Sequence, residues 1–270
     1  MEQLVAIDID GTLLNSQREI TKEVYETIKK AKSHHVHIAL CSGRAGFGLK
    51  PIINKLPKDS VEYIIAHNGA IIEEVKTGKV ISEKYLKKED LILFEQLSHE
   101  FRTHLSFYDK DHLYTTAQEI NGSMAENMIT QCCKIHILNS AEEMENNILE
   151  IQFLEDEDKE IIRSMDELPK ELYDNYYIVH SVERTLEITK KGVNKWNGIL
   201  KLAQYLGVEE ENIIAIGDEK NDREMIENAG IGIAMGNAIE MIKEISDFVT
   251  KTNDEHGVAY ALKNVVYSRS

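Results

Sequence analysis

Short apolar runs alternate with amphipathic segments at the beginning of the chain. Residues 4–7, 36–40 and 63–66 are apolar runs of strand length, and each is followed by polar residues or glycine. Between the first two runs, apolar residues recur every three or four positions, which predicts a helix over residues 21–32. Strands that alternate with helices predict a parallel sheet with right-handed crossovers.

The same alternation returns near the other end of the chain. A helical stripe within residues 199–206 precedes apolar runs at 213–216 and 231–234, and a helix over 238–245 precedes a short strand at 248–249. The fold class predicted from both ends is therefore α/β, with a doubly wound, Rossmann-like parallel sheet.

The middle of the chain has a different pattern. It predicts a helix near residues 93–101, a hairpin across Asp109-Lys110-Asp111, a strand at 149–153, a helix at 161–168 that stops at Pro169, and strands at 176–179 and 186–188. We interpret residues 84–184 as an inserted α+β domain. The core domain then comprises residues 1–83 and 185–270.

Acidic residues follow the first apolar run. Asp8 and Asp10 are two positions apart in Asp8-Ile9-Asp10-Gly11-Thr12, at the carboxyl end of the first predicted strand. Open parallel sheets bind ligands at that end. Two crowded carboxylates are costly unless a cation lies between them, and a hard cation with oxygen ligands, above all Mg²⁺, suits them. A solvated turn is the alternative, since Asp and Gly favour turns.

Three further sites extend this pattern. Ser42 and Gly43 follow the second strand, and Lys195 precedes a helix. Gly217-Asp218-Glu219-Lys220-Asn221-Asp222 follows the strand at 213–216 and begins another helix. Helix capping would explain one acid there but not the whole set. Taken singly, Ser42 would fit a structural turn and Lys195 a surface charge.

Composition limits the possible partners. The formal net charge of −16 in 270 residues argues against nucleic acid and anionic membranes, which require clustered Lys and Arg. Three cysteines without disulfide or metal-ligand spacing fit a reducing compartment, and no signal peptide or membrane span is visible. We expect a cytoplasmic protein. Its oligomeric state cannot be read from the sequence.

These motifs together resemble the haloacid dehalogenase superfamily, and within it the Cof-type sugar-phosphate phosphatases. Asp8-Ile9-Asp10-Gly11-Thr12-Leu13 is similar to the first motif of that family, Ser42 to the second, Lys195 to the third, and Gly217-Asp218 through Asn221-Asp222 to the fourth. Four further segments are also similar to that branch, namely Asn68-Gly69-Ala70, Lys191-Gly192-Val193-Asn194-Lys195, Gly232-Ile233-Ala234-Met235-Gly236-Asn237-Ala238 and Thr252-Asn253-Asp254-Glu255-His256-Gly257-Val258.

The resemblance implies a Mg²⁺-dependent phosphatase acting on a small phosphorylated metabolite, with residues 84–184 as a cap that sets specificity. Asp8 would be the nucleophile and Asp10 the general acid and base. Asp8, the Asp10 carbonyl and Asp218 would bind the metal. The remaining roles it implies are contacts to the phosphoryl group, by Ser42, Lys195, Asn221 and the N–H groups of Ile9 and Gly43.

Several points stay open at this stage. Arg44 could contact substrate or brace the Asp8 loop, and a supporting role is favoured for Asp222 over direct metal binding. A phosphomutase, a receiver-like domain and a non-catalytic metabolite-binding protein are the alternatives. His34, His35 and His37 have no carboxylate or cysteine beside them, so a solvated loop is expected there. His104, Tyr108, His112 and Tyr114 are expected on a sheet surface.

Overall fold

The alternating pattern folds into strands and helices in the computed structural model, which describes residues 2–155, 168–182 and 185–269. In chain order the strands are β1 (Gln3–Ile7), β2 (Val36–Cys41), β3 (Tyr63–Ala66), β4 (Ile71–Glu74), β5 (Val80–Glu83), β6 (His104–Tyr108), β7 (Leu113–Thr115), β8 (Ile135–Ile137), β9 (Glu150–Leu154), β10 (Tyr176–Val182), β11 (Thr185–Lys190), β12 (Ile213–Gly217), β13 (Ile231–Ala234) and β14 (Phe248–Val249). The helices are α1 (Lys22–Ile28), α2 (Gly46–Ile53), α3 (Lys88–Phe101), α4 (Gly122–Gln131), α5 (Lys170–Asn175), α6 (Lys195–Leu206), α7 (Arg223–Asn228), α8 (Glu240–Ile245) and α9 (Gly257–Ala261).

The chain divides into two units. The first comprises Met1–Gly43, Lys50–Ser82 and Asn194–Ser270, and the second comprises Arg44–Leu49 and Glu83–Val193. Each unit contains its own sheet.

The sheet of the first unit has the strand order β14-β13-β12-β1-β2-β3-β4-β5. Strands β1, β2, β3, β12, β13 and β14 pair in parallel, which confirms the predicted α/β class. Strand β4 runs antiparallel to β3 because only a short turn, residues 67–70, connects them. A parallel pair would need a crossover of a dozen residues or more.

Strand β1 lies in the middle of this sheet. It pairs with β2, its neighbour in sequence, and with β12 from near the other end of the chain. All five of its residues are buried, as expected for a parallel strand covered on both faces. This position fixes the residue that follows β1 between two other strand ends.

The sheet of the second unit has the order β10-β11-β9-β6-β7-β8, with β6, β9, β10 and β11 antiparallel to their neighbours in that run. One face carries Phe107, Ile151, Phe153 and Ile188, which form a core with residues of α3. The predicted α+β character of this part and the hairpin of β6 and β7 are confirmed. The helix predicted over 161–168 falls mostly on residues outside those described.

The other face of the second sheet is polar yet buried. Register places Ser106 opposite Gln152, and Gln152 opposite Glu187. The amide of Gln152 donates to Glu150 at 2.6 Å, and Asn127 donates to the Tyr108 hydroxyl at 2.7 Å. The expectation that Tyr108 lies on a sheet surface was wrong, since its side chain is fully buried.

The histidine expectation also needs correction. His37 lies in β2, and its Nδ1 is 2.5 Å from a carboxylate oxygen of Glu62, with Glu2 3.6 Å from Nε2. These partners come from other parts of the chain, so the local sequence gave no sign of them. His34 stacks on Tyr267, with ring centroids 4.2 Å apart.

Among the residues that the structure describes, the helices are all too short or too polar to pass through a lipid bilayer.

Candidate active site

The site begins where β1 ends. Register pairs Ile7 with Leu40 of β2 and with Ile216 of β12, so Asp8 follows directly at the carboxyl ends of three neighbouring parallel strands. The Asp8 amide continues the ladder by donating to the Ile216 carbonyl at 3.0 Å. The side chain of Asp8 is buried at this edge.

Lys195, the first residue of α6, supplies a cation to this edge. Its ammonium donates to Asp8 at 2.6 Å and to Asp222 at 2.5 Å, and its side chain is 1% exposed. Asn194 caps the helix by accepting from the Asn197 amide, which fixes where α6 starts. The lysine predicted to join the site is therefore held between two carboxylates.

Asp218 follows β12 and approaches the loop after β1. Its Oδ1 accepts a hydrogen bond from the Thr12 hydroxyl at 2.6 Å. Gly11 has a φ of +85°, and a Cβ built on it would lie 2.2 Å from Asp218 Oδ2. Only glycine allows both this backbone conformation and this approach.

Asp222 is fully buried, and both of its carboxylate oxygens are engaged. One accepts from Lys195, and the other accepts from the backbone amides of Asp218 and Glu219 at 2.8 and 3.1 Å. Asp222 therefore fixes both the lysine and the Asp218 loop. This geometry suits the supporting role favoured for it from the sequence.

Burial and mutual repulsion perturb these acids. Burial raises the pKa of Asp8 well above its usual range, and the negative charges of Asp222 and Asp218 add to this although Lys195 opposes it. Burial together with the Asp222 charge raises the pKa of Asp218 to about 7. For Lys195, burial favours the neutral amine, but Asp222 and Asp8 overcome this and raise its pKa.

These residues fit a metal ion. One carboxylate oxygen from each of Asp8, Asp218 and Asp222 lies within 4.8 Å of the others, and all three residues are buried. Three carboxylates against the single ammonium of Lys195 leave an excess of negative charge, which a divalent cation would neutralise. Oxygen donors alone favour a hard cation.

The other predicted residues of this strand edge differ in exposure. Ile9 is fully buried and Ser42 nearly so, while Gly43 is half-buried and Asp10 is exposed. Ser42 is held by its backbone, because its amide donates to the Ile65 carbonyl and its carbonyl accepts from the Asn68 amide. Register places Asp8 level with Cys41, so Ser42 follows at the same edge.

Asn221 has a partner that the sequence did not indicate. Its amide donates to Asn68 Oδ1 at 3.1 Å, and both side chains are buried. Asn68 follows β3 with a φ of +52°, a conformation that Asn tolerates better than most residues. The triplet Asn68-Gly69-Ala70 was recognised, but only the fold connects it with Asn221. Arg44 belongs to the second unit, where its guanidinium donates to the Thr130 carbonyl at 2.8 Å.

Comparison with known proteins identifies the family. Residues 5–262 match the haloacid dehalogenase-like hydrolases. The chain belongs to this family. The Bacillus subtilis protein named "Putative phosphatase YxeH" is 37% identical over the full length of both chains. The prediction of a hydrolase of the haloacid dehalogenase phosphatase type is thereby confirmed.

Two further proteins are similar to almost the whole of this chain. The Bacillus subtilis protein named 5-amino-6-(5-phospho-D-ribitylamino)uracil phosphatase YcsE is 30% identical, over 98% of this chain and 96% of its own. A crystal structure of a haloacid dehalogenase-like hydrolase from Bacteroides thetaiotaomicron superposes with a TM-score of 0.86 at 28% identity. That alignment covers 98% of this chain and all of the other.

Proposed function

We propose that this protein is a magnesium-dependent phosphatase that hydrolyses small phosphate monoesters, such as sugar phosphates, through an aspartyl-phosphate on Asp8. One observation carries the proposal. The buried carboxylate of Asp8 is 2.6 Å from the Lys195 ammonium and shares its strand edge with Asp218. A nucleophilic carboxylate beside a cation and a metal site matches the requirements of phosphoryl transfer.

In this mechanism Asp8 attacks phosphorus and forms the acyl phosphate. Lys195 opposes the effect of burial on the pKa of Asp8 and so favours its ionised form, and it neutralises part of the charge on the phosphoryl oxygens. Asp10, two residues on and exposed, protonates the leaving oxygen and later accepts a proton from the attacking water. Hydrolysis is thereby divided into two displacements at phosphorus, in which Asp8 is first the nucleophile and then the leaving group.

The phosphoryl group would be held by Ser42, Asn221, Lys195 and the N–H groups of Ile9 and Gly43. The contact of Asn221 with Asn68 supports this by fixing the amide orientation. The sequence assigned no role to Asn68, and we propose it as a positioning residue for Asn221.

Asp8, the backbone carbonyl of Asp10 and Asp218 would hold Mg²⁺. Bound there, Mg²⁺ would lower the repulsion between the anionic nucleophile and the anionic ester. Thr12 orients Asp218 toward this position through its hydrogen bond. Asp222 remains outside the proposed ligand set because Lys195 and two backbone amides already occupy its oxygens.

We further propose that residues 84–184 act as a cap that selects the leaving group. The buried polar side chains on one face of their sheet, such as Gln152 and Glu187, are suited to bind hydroxyl groups. The relative named for a ribityl phosphate ester supports a polyhydroxylated leaving group.

The test is a phosphate-release screen across phosphorylated metabolites, run with Mg²⁺ and with a chelator. We expect metal-dependent release over many turnovers, and a phosphoryl group on the Asp8 peptide after acid quenching. Asp8→Asn should remove both while the thermal melting curve shows a folded protein. Release of phosphate by Asp8→Asn at an appreciable rate would reassign the nucleophile.

The same screen separates the alternatives. A phosphomutase would return an isomeric ester in place of free phosphate. A metabolite-binding protein would bind its ligand and release nothing.

A further inference from the structure

Three hydrogen bonds attach the loop after Asp10 to side chains within residues 237–254. The Gly11 carbonyl accepts from Asn237 at 2.9 Å, and the Leu14 carbonyl accepts from Asn253 at 2.9 Å. The Ser16 amide donates to Asp254 at 2.9 Å. The side chains that make these contacts belong to two segments that the proposed chemistry does not use.

These two segments form one platform. The backbone amide of Asn253 donates to Asn237 Oδ1 at 2.9 Å, so Asn253 orients the side chain of Asn237. The Gly236 amide donates to the Lys251 carbonyl at 3.0 Å. A Cβ at Gly236 would lie 2.7 Å from the Thr252 nitrogen, so only glycine permits this close approach.

The loop transmits this attachment to Asp10. Asp10 and Leu14 form an isolated β-bridge, and the Leu14 amide donates to the Ile9 carbonyl at 2.9 Å. Asn253 therefore holds Leu14, which pairs with Asp10, and Asn237 holds Gly11, which directly follows Asp10. Asp10 is an exposed residue, and these contacts fix the backbone that carries it.

We propose that Asn237 and Asn253 are positioning residues that hold the Asp10 loop so that the carboxyl group of Asp10 reaches the leaving oxygen. This rests on the proposed function, in which Asp10 is the general acid. A misplacement of about 1 Å can cost a catalytic group as much as a hundredfold in rate. The bonds lie at or near the surface, where water competes for the same groups. Their loss therefore affects the loop more than the global fold.

Two variants remove the side-chain donors that hold the loop. Asn237→Asp keeps the acceptor for the Asn253 amide but loses the donor to Gly11. Asn253→Ala loses the donor to Leu14 and the acceptor for the Asp254 amide, but its own backbone amide can still donate to Asn237. The matched control is Asn264→Ala, because Asn264 donates its amide to the Tyr260 carbonyl of its own helical segment.

The measurement compares two esters of similar shape, p-nitrophenyl phosphate and phenyl phosphate. Phenolate is the poorer leaving group and needs protonation by Asp10. In both asparagine variants we expect kcat for phenyl phosphate to fall about tenfold while kcat for p-nitrophenyl phosphate changes by less than about threefold. Hydrogen exchange of the peptide containing residues 10–16 should accelerate, and Asn264→Ala should change neither.

The outcomes separate this inference from the function on which it rests. Asp10→Ala serves as the reference, and it should raise the ratio of the two kcat values by at least as much. If Asp10→Ala raises the ratio and the asparagine variants leave both the ratio and the exchange unchanged, the positioning role is wrong and the function stands. If Asp10→Ala leaves the ratio unchanged, the acid assignment fails and the inference fails with it.

Discussion

At the scale of single residues, the site is a balance of buried charges. Lys195 lies between Asp8 and Asp222, and its ammonium is the counter-charge that both carboxylates share. Removal of one partner from such a group leaves the others buried and uncompensated, which costs more than the pair itself contributes.

Lys195→Met should therefore lower the free energy of unfolding by about 3–5 kcal/mol. The double variant Lys195→Met/Asp222→Asn should recover part of this loss because one buried charge is removed with its partner. Urea denaturation of both variants checks the expectation. Equal stability of the single and double variants would contradict the shared counter-charge. Phosphatase activity should be lost in the single variant and in the double variant.

Thr12 gives a second test at this scale. Its hydroxyl orients Asp218, so Thr12→Val should raise the Mg²⁺ concentration for half-maximal activity about tenfold or more. Thr12→Ser keeps the hydroxyl and should stay close to the unmodified chain. A Mg²⁺ titration of phosphate release compares the two. A rise of the same size in Thr12→Ser would assign the effect to packing.

The residues at strand ends could be predicted from sequence because two local signals coincide there. An apolar run predicts the strand, and acids directly after it lie at the edge where ligands bind, as with Asp8 and Asp218. The partners of these residues could not be predicted. The bonds of Thr12 to Asp218 and of Asn221 to Asn68 join positions 206 and 153 residues apart, and no local pattern encodes them.

At the scale of elements, the two edges of the sheet at which strands start and end differ. The carboxyl ends of the strands hold the candidate active site, and the amino ends hold a structural ion pair. His37 near the start of β2 faces Glu62, which directly precedes β3, and Glu2, Lys32 and Tyr63 lie around the pair. The hydrogen bond with Glu62 raises the pKa of His37, and the same bond lowers the pKa of Glu62.

The stabilising effect of this pair should depend on pH. The raised pKa of His37 makes its contribution complete below 6.5 and lost as the pH rises through the raised value. The lowered pKa of Glu62 makes its contribution complete above 4.5 and lost as the pH falls through the lowered value. His37→Gln should cost about 1 kcal/mol between pH 4.5 and 6.5 and less at pH 9. Chemical denaturation at several pH values measures this, and a cost independent of pH would contradict the ion pair.

Elements differed in how far the sequence predicted them. Strands such as β3 and β13 were predicted at the residues where they lie, because buried parallel strands are continuous apolar runs. Helices α2 and α4 were not predicted. Helix α2 contains Pro51 and two glycines, and α4 follows polar residues with a weak apolar stripe. Their formation depends on packing rather than on local propensity.

At the scale of the whole molecule, the net charge of −16 attracts any cation weakly to the protein surface. Binding of Mg²⁺ at one specific site must therefore be distinguished from general screening of the surface charge. The buried carboxylates of Asp8 and Asp218 provide the distinction, since dispersed surface charges cannot bind one ion in a closed geometry.

Saturating Mg²⁺ should raise the melting temperature by roughly 5 °C relative to chelator at equal ionic strength, because a ligand at 100 times its Kd stabilises by about 2.7 kcal/mol. Asp218→Asn should lose this shift and keep any general salt effect. Differential scanning calorimetry with Mg²⁺ and with matched NaCl provides the comparison. A shift that survives in Asp218→Asn would locate the ion elsewhere.

The pairing of β1 with β12 has a consequence for folding during synthesis on the ribosome. During synthesis β1 leaves the exit tunnel long before β12, which is one of its two neighbours in the sheet. Until β12 follows, one edge of β1, whose residues are all buried in the folded protein, exposes unpaired backbone groups, which are prone to aggregate. Nascent chains should therefore depend on chaperones until β12 has been made, and enzymatic activity can arise only after that point.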